Sequence, residues 1–293
     1  MRALPEDWPL REHSRCVTAG GLRWHVQRLG RGPVALLVHG TGAATHTWRG
    51  LAPLLARHFT VVAPDLPAHG FTARPADDDL MTLPGMARGL GALLAKLGDA
   101  PALAVGHSAG AAILVRMCLD GRIAPRGLVS LNGALLELRG LPRAVFSPLA
   151  RLLAASPLFP RLFAWRAGDR AAVARLVAST GSKLDDAGVD QYARLVRDPV
   201  HVQGVLAMMA RWDLGALERD LPGLAVPLLL VAGQRDGTVP PGESRRVQAL
   251  LPAAELAELP GLGHLAHEEQ PERVARRVTD FARRVGAVSG PRR

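Results

Sequence analysis

The sequence predicts an α/β fold: a mostly parallel eight-stranded sheet flanked by helices, with a helical cap inserted after strand 6. Two observations predict it. Short apolar runs alternate with longer amphipathic segments along most of the chain, as expected for strands buried on both faces and joined by crossover helices. The alternation then breaks between about residues 134 and 217, where helical patterning and turns carry little strand character.

The elements follow in order. Residues 15–29 suggest an antiparallel pair turning at Ala19-Gly20-Gly21, and Val34–Val38 and 59–63 are the next apolar strands. A helix over Leu83–Leu97 places Leu83, Met86, Ala87, Leu90, Leu93, Leu94 and Leu97 on one stripe. Strands are expected at 102–105, 126–131, 226–231 and 254–259. A last helix opens near Gln270-Pro271-Glu272, with Val274, Val278, Phe281, Ala282 and Val285 on one face. The expected organisation is a core of residues 1–133 and 218–286, a helical cap over 134–217 and a frayed tail at 287–293.

Composition narrows the function. Nearly half of the 293 residues are hydrophobic (48%), enough for a substantial core. The net charge of +10 comes almost entirely from arginine, since Lys96 and Lys183 are the only lysines. The arginines are scattered among alanine and leucine, and no helix-turn-helix, finger or aromatic-basic motif accompanies them, so nucleic acid is not an expected partner. Cys16 and Cys118 make no disulfide framework, and the N-terminus has no apolar signal core, so a soluble protein of a reducing cytoplasm is expected. No apolar stretch reaches the roughly 18 residues a spanning helix needs, which leaves at most a peripheral membrane contact. The ten histidines are dispersed, and neither a metal-ligand spacing nor a glycine-rich nucleotide loop occurs, so no metal or cofactor is expected.

The chemistry is carried by three loops. Gly106-His107-Ser108-Ala109-Gly110 joins an apolar strand to an apolar helix, as the nucleophile elbow of an α/β-hydrolase does. Its glycines are needed because a sharp turn brings the backbone close to the neighbouring strand and helix. An acid and then a histidine should follow in chain order, each past the end of a strand. Asp236, before the turn Gly237-Thr238-Val239-Pro240-Pro241, and His264, in Pro260-Gly261-Leu262-Gly263-His264, fill those places. Serine is a weak nucleophile until a base takes its proton, and imidazole needs a carboxylate to fix its tautomer, so Ser108, His264 and Asp236 form the expected catalytic set. The backbone N–H groups of Ala109 and of Thr41, in His39-Gly40-Thr41-Gly42, are the expected oxyanion hole. His39 is read as positioning that loop rather than as catalytic. In the cap, Phe146, Phe163, Trp165 and Trp212 are candidates to line a large apolar substrate pocket, with arginines such as Arg143 and Arg166 at its rim.

Across nearly its full length the chain resembles the capped α/β-hydrolases, through His39-Gly40 with Trp48 downstream, Asp65-Leu66-Pro67-Ala68-His69-Gly70, the elbow, Asp236 and His264. More narrowly it resembles the magnesium-chelatase accessory family of bacteriochlorophyll biosynthesis. The resemblance lies in residues 18–26, 39–48, 106–112, Leu131-Asn132-Gly133-Ala134, 146–150 and 261–269. It implies a cytoplasmic serine hydrolase, esterase-like, at or near magnesium insertion into a porphyrin, with a hydrophobic tetrapyrrole as candidate substrate and a magnesium-chelatase subunit as candidate partner. Two other functions fit the same residues: a non-catalytic porphyrin-binding and delivery protein, and a carbon–carbon (diketone) hydrolase, whose ring-cleavage members share the look of the 39–42 loop. One departure stands out, because related hydrolases usually carry glycine where this chain has Ala68. Should that position require a positive φ, alanine would cost stability or bend the loop.

Overall fold

A computed structural model describes residues 3–137 and 169–289. Its strands are β1 (Ser14–Ala19), β2 (Leu22–Leu29), β3 (Val34–Val38), β4 (Thr60–Pro64), β5 (Pro101–His107), β6 (Gly127–Leu131), β7 (Leu228–Gly233) and β8 (Glu255–Leu259). They form one sheet in the order β1-β2-β4-β3-β5-β6-β7-β8. β1 and β2 pair antiparallel with each other, β2 pairs antiparallel with β4, and the rest is parallel. This is the α/β architecture expected, and strand ends shift by a residue or two. β7 starts after Pro227, which has no N–H to give the ladder.

The unbroken apolar runs reflect a sheet covered on both faces. Along β3, Leu36 and Val38 belong to one core cluster and Ala35 and Leu37 to the other; along β7, Leu228 and Leu230 alternate with Leu229 and Val231 in the same way. The first cluster lies under α2 (Leu83–Leu97) and α3 (Ala109–Leu119). The second lies under α1 (Leu51–Leu55) and the final helix, Pro271–Arg284, on which Val274, Val278, Phe281 and Ala282 are fully buried. Burying each of the two valines and the phenylalanine contributes about 1.5–3 kcal/mol. A Cβ on Gly127 would lie 2.7 Å from Phe281 Cε1, so β6 begins with the one residue that lets this helix seat.

Between β6 and β7 the described chain is helical: α4 (Arg170–Ser179), α5 (Asp186–Val196), α6 (Pro199–Arg211) and α7 (Gly215–Asp220). Residue 217, the expected end of the insert, lies inside α7, whose Leu217 is buried in the first core cluster. After β7 come α8 (Pro241–Leu250), α9 (Ala266–Glu269) and the final helix, α10 (Pro271–Arg284). The last helix opens where the sequence places it, after a break at Gln270. Gln270 stands at φ −141°, ψ 71°, because a residue before proline is driven out of the helical region.

The strand order reverses between β3 and β5, since β4 lies on one side of β3 and β5 on the other. Such a switch point opens a crevice beyond the carboxyl ends of the two strands. The 39–42 loop leaves β3 there, and Ser108 leaves β5.

Candidate active site

Ser108 sits between β5 and α3 at φ 51°, ψ −119°, a region L-residues rarely occupy. Such strain, about 1–3 kcal/mol, persists only where the surroundings over-determine it. Here Ser108 N–H donates to Leu131 O (3.0 Å), while its carbonyl accepts from Ala111 N (3.1 Å) and Ala134 N (3.2 Å). The elbow glycines act as the sequence suggests. A Cβ on Gly106 would stand 2.5 Å from Ala111 Cα, and one on Gly110 would stand 2.1 Å from Val38 O.

Asp236 lies in the loop after β7 and His264 in the loop after β8; both are buried. His264 Nδ1 donates to Asp236 Oδ2 at 2.8 Å. The other carboxylate oxygen, Oδ1, accepts from Thr238 N (2.7 Å) and Val239 N (2.8 Å). With Nδ1 committed to the carboxylate, Nε2 is the imidazole nitrogen left for a hydroxyl. The histidine is held beside the elbow: His107 Nε2 donates to His264 O at 3.0 Å, and the two rings lie 4.7 Å apart. Burial holds His107 well below the usual imidazole range, so it stays neutral, with Nε2–H as donor.

The 39–42 loop reaches the serine. A Cβ on Gly40 would be 2.9 Å from Ser108 Cβ, so glycine alone permits the approach. Gly40 O accepts from His39 Nδ1 (2.8 Å) and from Ala43 N (3.2 Å). In a trans peptide the carbonyl and the following N–H point opposite ways, so anchoring Gly40 O fixes the direction of the Thr41 N–H. His39 Nε2 accepts from Leu66 N (2.9 Å), and burial keeps the ring neutral. His39 therefore positions the loop, as its place before a glycine suggests. Ala109 is the first residue of α3, and its N–H is among those a helix start leaves without an intrahelical acceptor.

Of the four expected pocket residues, Phe146, Phe163 and Trp165 lie outside the described residues. Trp212, at the end of α6, is half-buried against the core cluster that contains Ala109, Leu135 and Met208. Ala68 does adopt φ 59°. Its methyl is accommodated because α6 presents Gly204, where a Cβ would be 2.6 Å from Ala68 Cβ. Among the described residues no group of three or more His, Cys, Asp or Glu side chains could hold a metal ion, and no helix is long and apolar enough to cross a membrane.

Sequence reasoning missed three sets of residues. Asn132, at φ 48° just past β6, donates through Nδ2 to Asp236 Oδ2 at 2.7 Å. Its position beyond a strand end was the available signal. The 180–182 segment ties the two site loops together: Thr180 O accepts from Gly237 N (3.0 Å) and His264 N (3.2 Å), and Ser182 Oγ accepts from Leu265 N (2.8 Å). Gly181, at φ 79°, has no room for a side chain, since a Cβ would be 1.7 Å from Arg235 O. The third is His201 on α6, whose Nδ1 accepts from Gly70 N at 3.1 Å and whose Nε2 meets Gly42 O at 3.2 Å. No local pattern marks the 180–182 segment or His201, because their partners are distant in sequence.

Comparison with known proteins shows the family. The sequence model of the Alpha/beta hydrolase family matches residues 35–277. The chain belongs to the α/β-hydrolase family. It is 39% identical to the magnesium-chelatase 30 kDa subunit of Rhodobacter capsulatus, over 96% of this chain and 98% of that one. It is 29% identical to the 2-hydroxy-6-oxo-2,4-heptadienoate hydrolase of Pseudomonas putida, over 92% of this chain and 96% of that one. An α/β-hydrolase fold protein from Burkholderia ambifaria superposes with a TM-score of 0.77 at 24% identity, covering 91% of this chain and 97% of that one, which shows the shared fold.

Proposed function

We propose that this α/β-hydrolase is a serine hydrolase that cleaves an ester or related acyl bond. The observation that carries the reading is the 2.8 Å contact between His264 Nδ1 and Asp236 Oδ2, made by two separate loops beside a serine at positive φ. Ser108 Oγ attacks the acyl carbon while His264 Nε2 takes its proton, and Asp236 holds the imidazolium. The tetrahedral oxyanion is met by the N–H groups of Ala109 and Thr41. His264 then gives the proton to the departing alkoxide, leaving an acyl-Ser108 ester. A water, deprotonated by His264, hydrolyses that ester and restores the free serine.

The substrate we assign is hydrophobic and of the tetrapyrrole class, in bacteriochlorophyll synthesis at or near magnesium chelation, with a chelatase subunit as partner. The likeness to the Rhodobacter capsulatus subunit supports this assignment. A fluorophosphonate probe with and without protoporphyrin IX tests it, with Ser108→Ala as control. Labelling of Ser108 that the porphyrin blocks is the expected result. Labelling indifferent to porphyrin removes the tetrapyrrole assignment. Saturable porphyrin binding without labelling makes the protein a carrier built on a hydrolase fold.

The likeness to the Pseudomonas putida enzyme favours one other bond, the carbon–carbon bond of a dienoic diketone. Turnover of such a compound, abolished by Ser108→Ala, would replace the ester reading.

A further inference from the structure

The contacts of α6 assign it a part in the oxyanion turn. His201, Gly204 and Met208 stand at i, i+3 and i+7 and so share one helical face. Met208 Sδ accepts from Thr41 Oγ1 at 3.5 Å, Gly204 seats against Ala68, and His201 reaches two loops at once. Because the Gly70 N–H can only donate, His201 Nδ1 must be the bare nitrogen, and Nε2 then carries the proton given to Gly42 O. His201 is buried, and burial keeps it neutral.

The turn 40–43 is thus held at both ends. His39 grips Gly40 O from the core side, and His201 grips Gly42 O from the inserted helix. Gly42 needs the second grip. It stands at φ 79°, and a Cβ built on it would meet nothing within 4 Å, so no side-chain packing holds it in place. The Gly42 carbonyl shares a peptide plane with the Ala43 N–H, which donates to Gly40 O (3.2 Å), so holding Gly42 O steadies the anchor that sets the direction of the Thr41 N–H.

We propose that His201 is a positioning residue for the oxyanion hole, making helix α6 part of the apparatus that stabilises the transition state. The proposal rests on the serine-hydrolase reading above. It predicts an effect on the chemical step and little on ground-state binding, because a misaimed N–H matters most once negative charge has formed on the acyl oxygen.

The test compares wild type, His201→Ala, His201→Gln and His201→Leu by the inactivation kinetics of a fluorophosphonate probe. His201→Ala should lower the maximal inactivation rate about tenfold to a hundredfold while leaving the half-saturating probe concentration within about twofold. His201→Gln, whose amide offers an acceptor and a donor, should recover most of the rate, whereas His201→Leu, which fills similar space without polar atoms, should not; equal recovery by both would make His201 a space-filling residue and overturn the proposal. Inactivation of a cooperatively melting His201→Ala protein at the wild-type rate overturns the proposal. In wild type, NMR of ring-¹⁵N-labelled histidine should show His201 as the Nε2–H tautomer without titration near pH 6.5, whether or not the alanine variant folds. An Nδ1–H tautomer, or ordinary titration, also overturns it. Wild type that takes no label at Ser108 defeats the nucleophile reading itself, and the role of His201 falls with it.

Discussion

Ser108, Asp236 and His264 stand on loops at the carboxyl ends of β5, β7 and β8, whereas His201, Gly204 and the 180–182 segment come from the chain between β6 and β7. The first region carries side chains that can exchange protons and attack carbon. The second carries a backbone carbonyl, a hydroxyl, an imidazole and bare glycine faces, and each is spent on holding a loop at the carboxyl end of a core strand. Thr180 O holds the Asp236 and His264 loops together, and His201 Nε2 holds Gly42 O. The difference teaches that the chain between β6 and β7 has a part in the site: two of its segments are tied to the loops on which the proposed catalysis depends.

The comparison can be broken most severely from the first region. Asp236→Asn should lower turnover or probe labelling by about 10⁴-fold, because the amide favours the wrong imidazole tautomer. A loss of less than tenfold in a folded variant would mean that the acid lies elsewhere.

Acid should break both regions together. His69 and His201 lie where α6 meets the core, His39 just past β3, His107 at the end of β5 and His267 in α9; burial depresses all five. Each keeps its full stabilisation above the unfolded imidazole pKa near 6.5. As pH falls below that value the unfolded chain binds more protons than the native one, costing about 1.4 kcal/mol per histidine per pH unit. The loss continues toward pH 3, where His69 and His267 are pushed down to about 3. The melting temperature should therefore fall steeply below about pH 6, and a flat profile between pH 7 and 5 would contradict this burial.

Gly181→Ala tests the second region directly. A Cβ at φ 79° against Arg235 O should destabilise the protein by about 1–2 kcal/mol or more and slow Ser108 labelling by displacing the Asp236 loop. Lost stability with unchanged labelling would make the 180–182 segment a structural tie alone. Asn132→Ala should cost about tenfold in kcat with little change in KM, from one lost hydrogen bond to the carboxylate. The smallest effect is expected at the contact between the regions: Ala68→Gly should relieve the left-handed strain and raise stability by about 0.5–1 kcal/mol, read in denaturant melts, without altering labelling.

The same comparison explains what could be read from the sequence. Val34–Val38 and Leu228–Gly233 are apolar throughout because both faces of their sheet are covered, so alternating strand and helix were legible from composition alone. Gly106, Ser108 and Gly110 were legible because they fall in one pentapeptide between strand and helix, even though Gly110 makes its close approach to Val38 O on a neighbouring strand. The order of Asp236 and His264 after the serine, each past a strand end, marked them as candidates. His201 and Thr180 were not legible, since their partners Gly42 and His264 lie far off in sequence and a carbonyl or neutral imidazole leaves no pattern. Asn132 fell between these cases, visible at a strand end but without a residue type that names its task.

The central claim is that Ser108 is an activated nucleophile served by His264 and Asp236. Wild type, Ser108→Ala and Asp236→Asn should be exposed to a fluorophosphonate and the adducts mapped by peptide mass spectrometry. The account predicts one adduct, on Ser108, absent in Ser108→Ala and formed far more slowly in Asp236→Asn. No adduct on wild type, or an adduct on another residue, would contradict it.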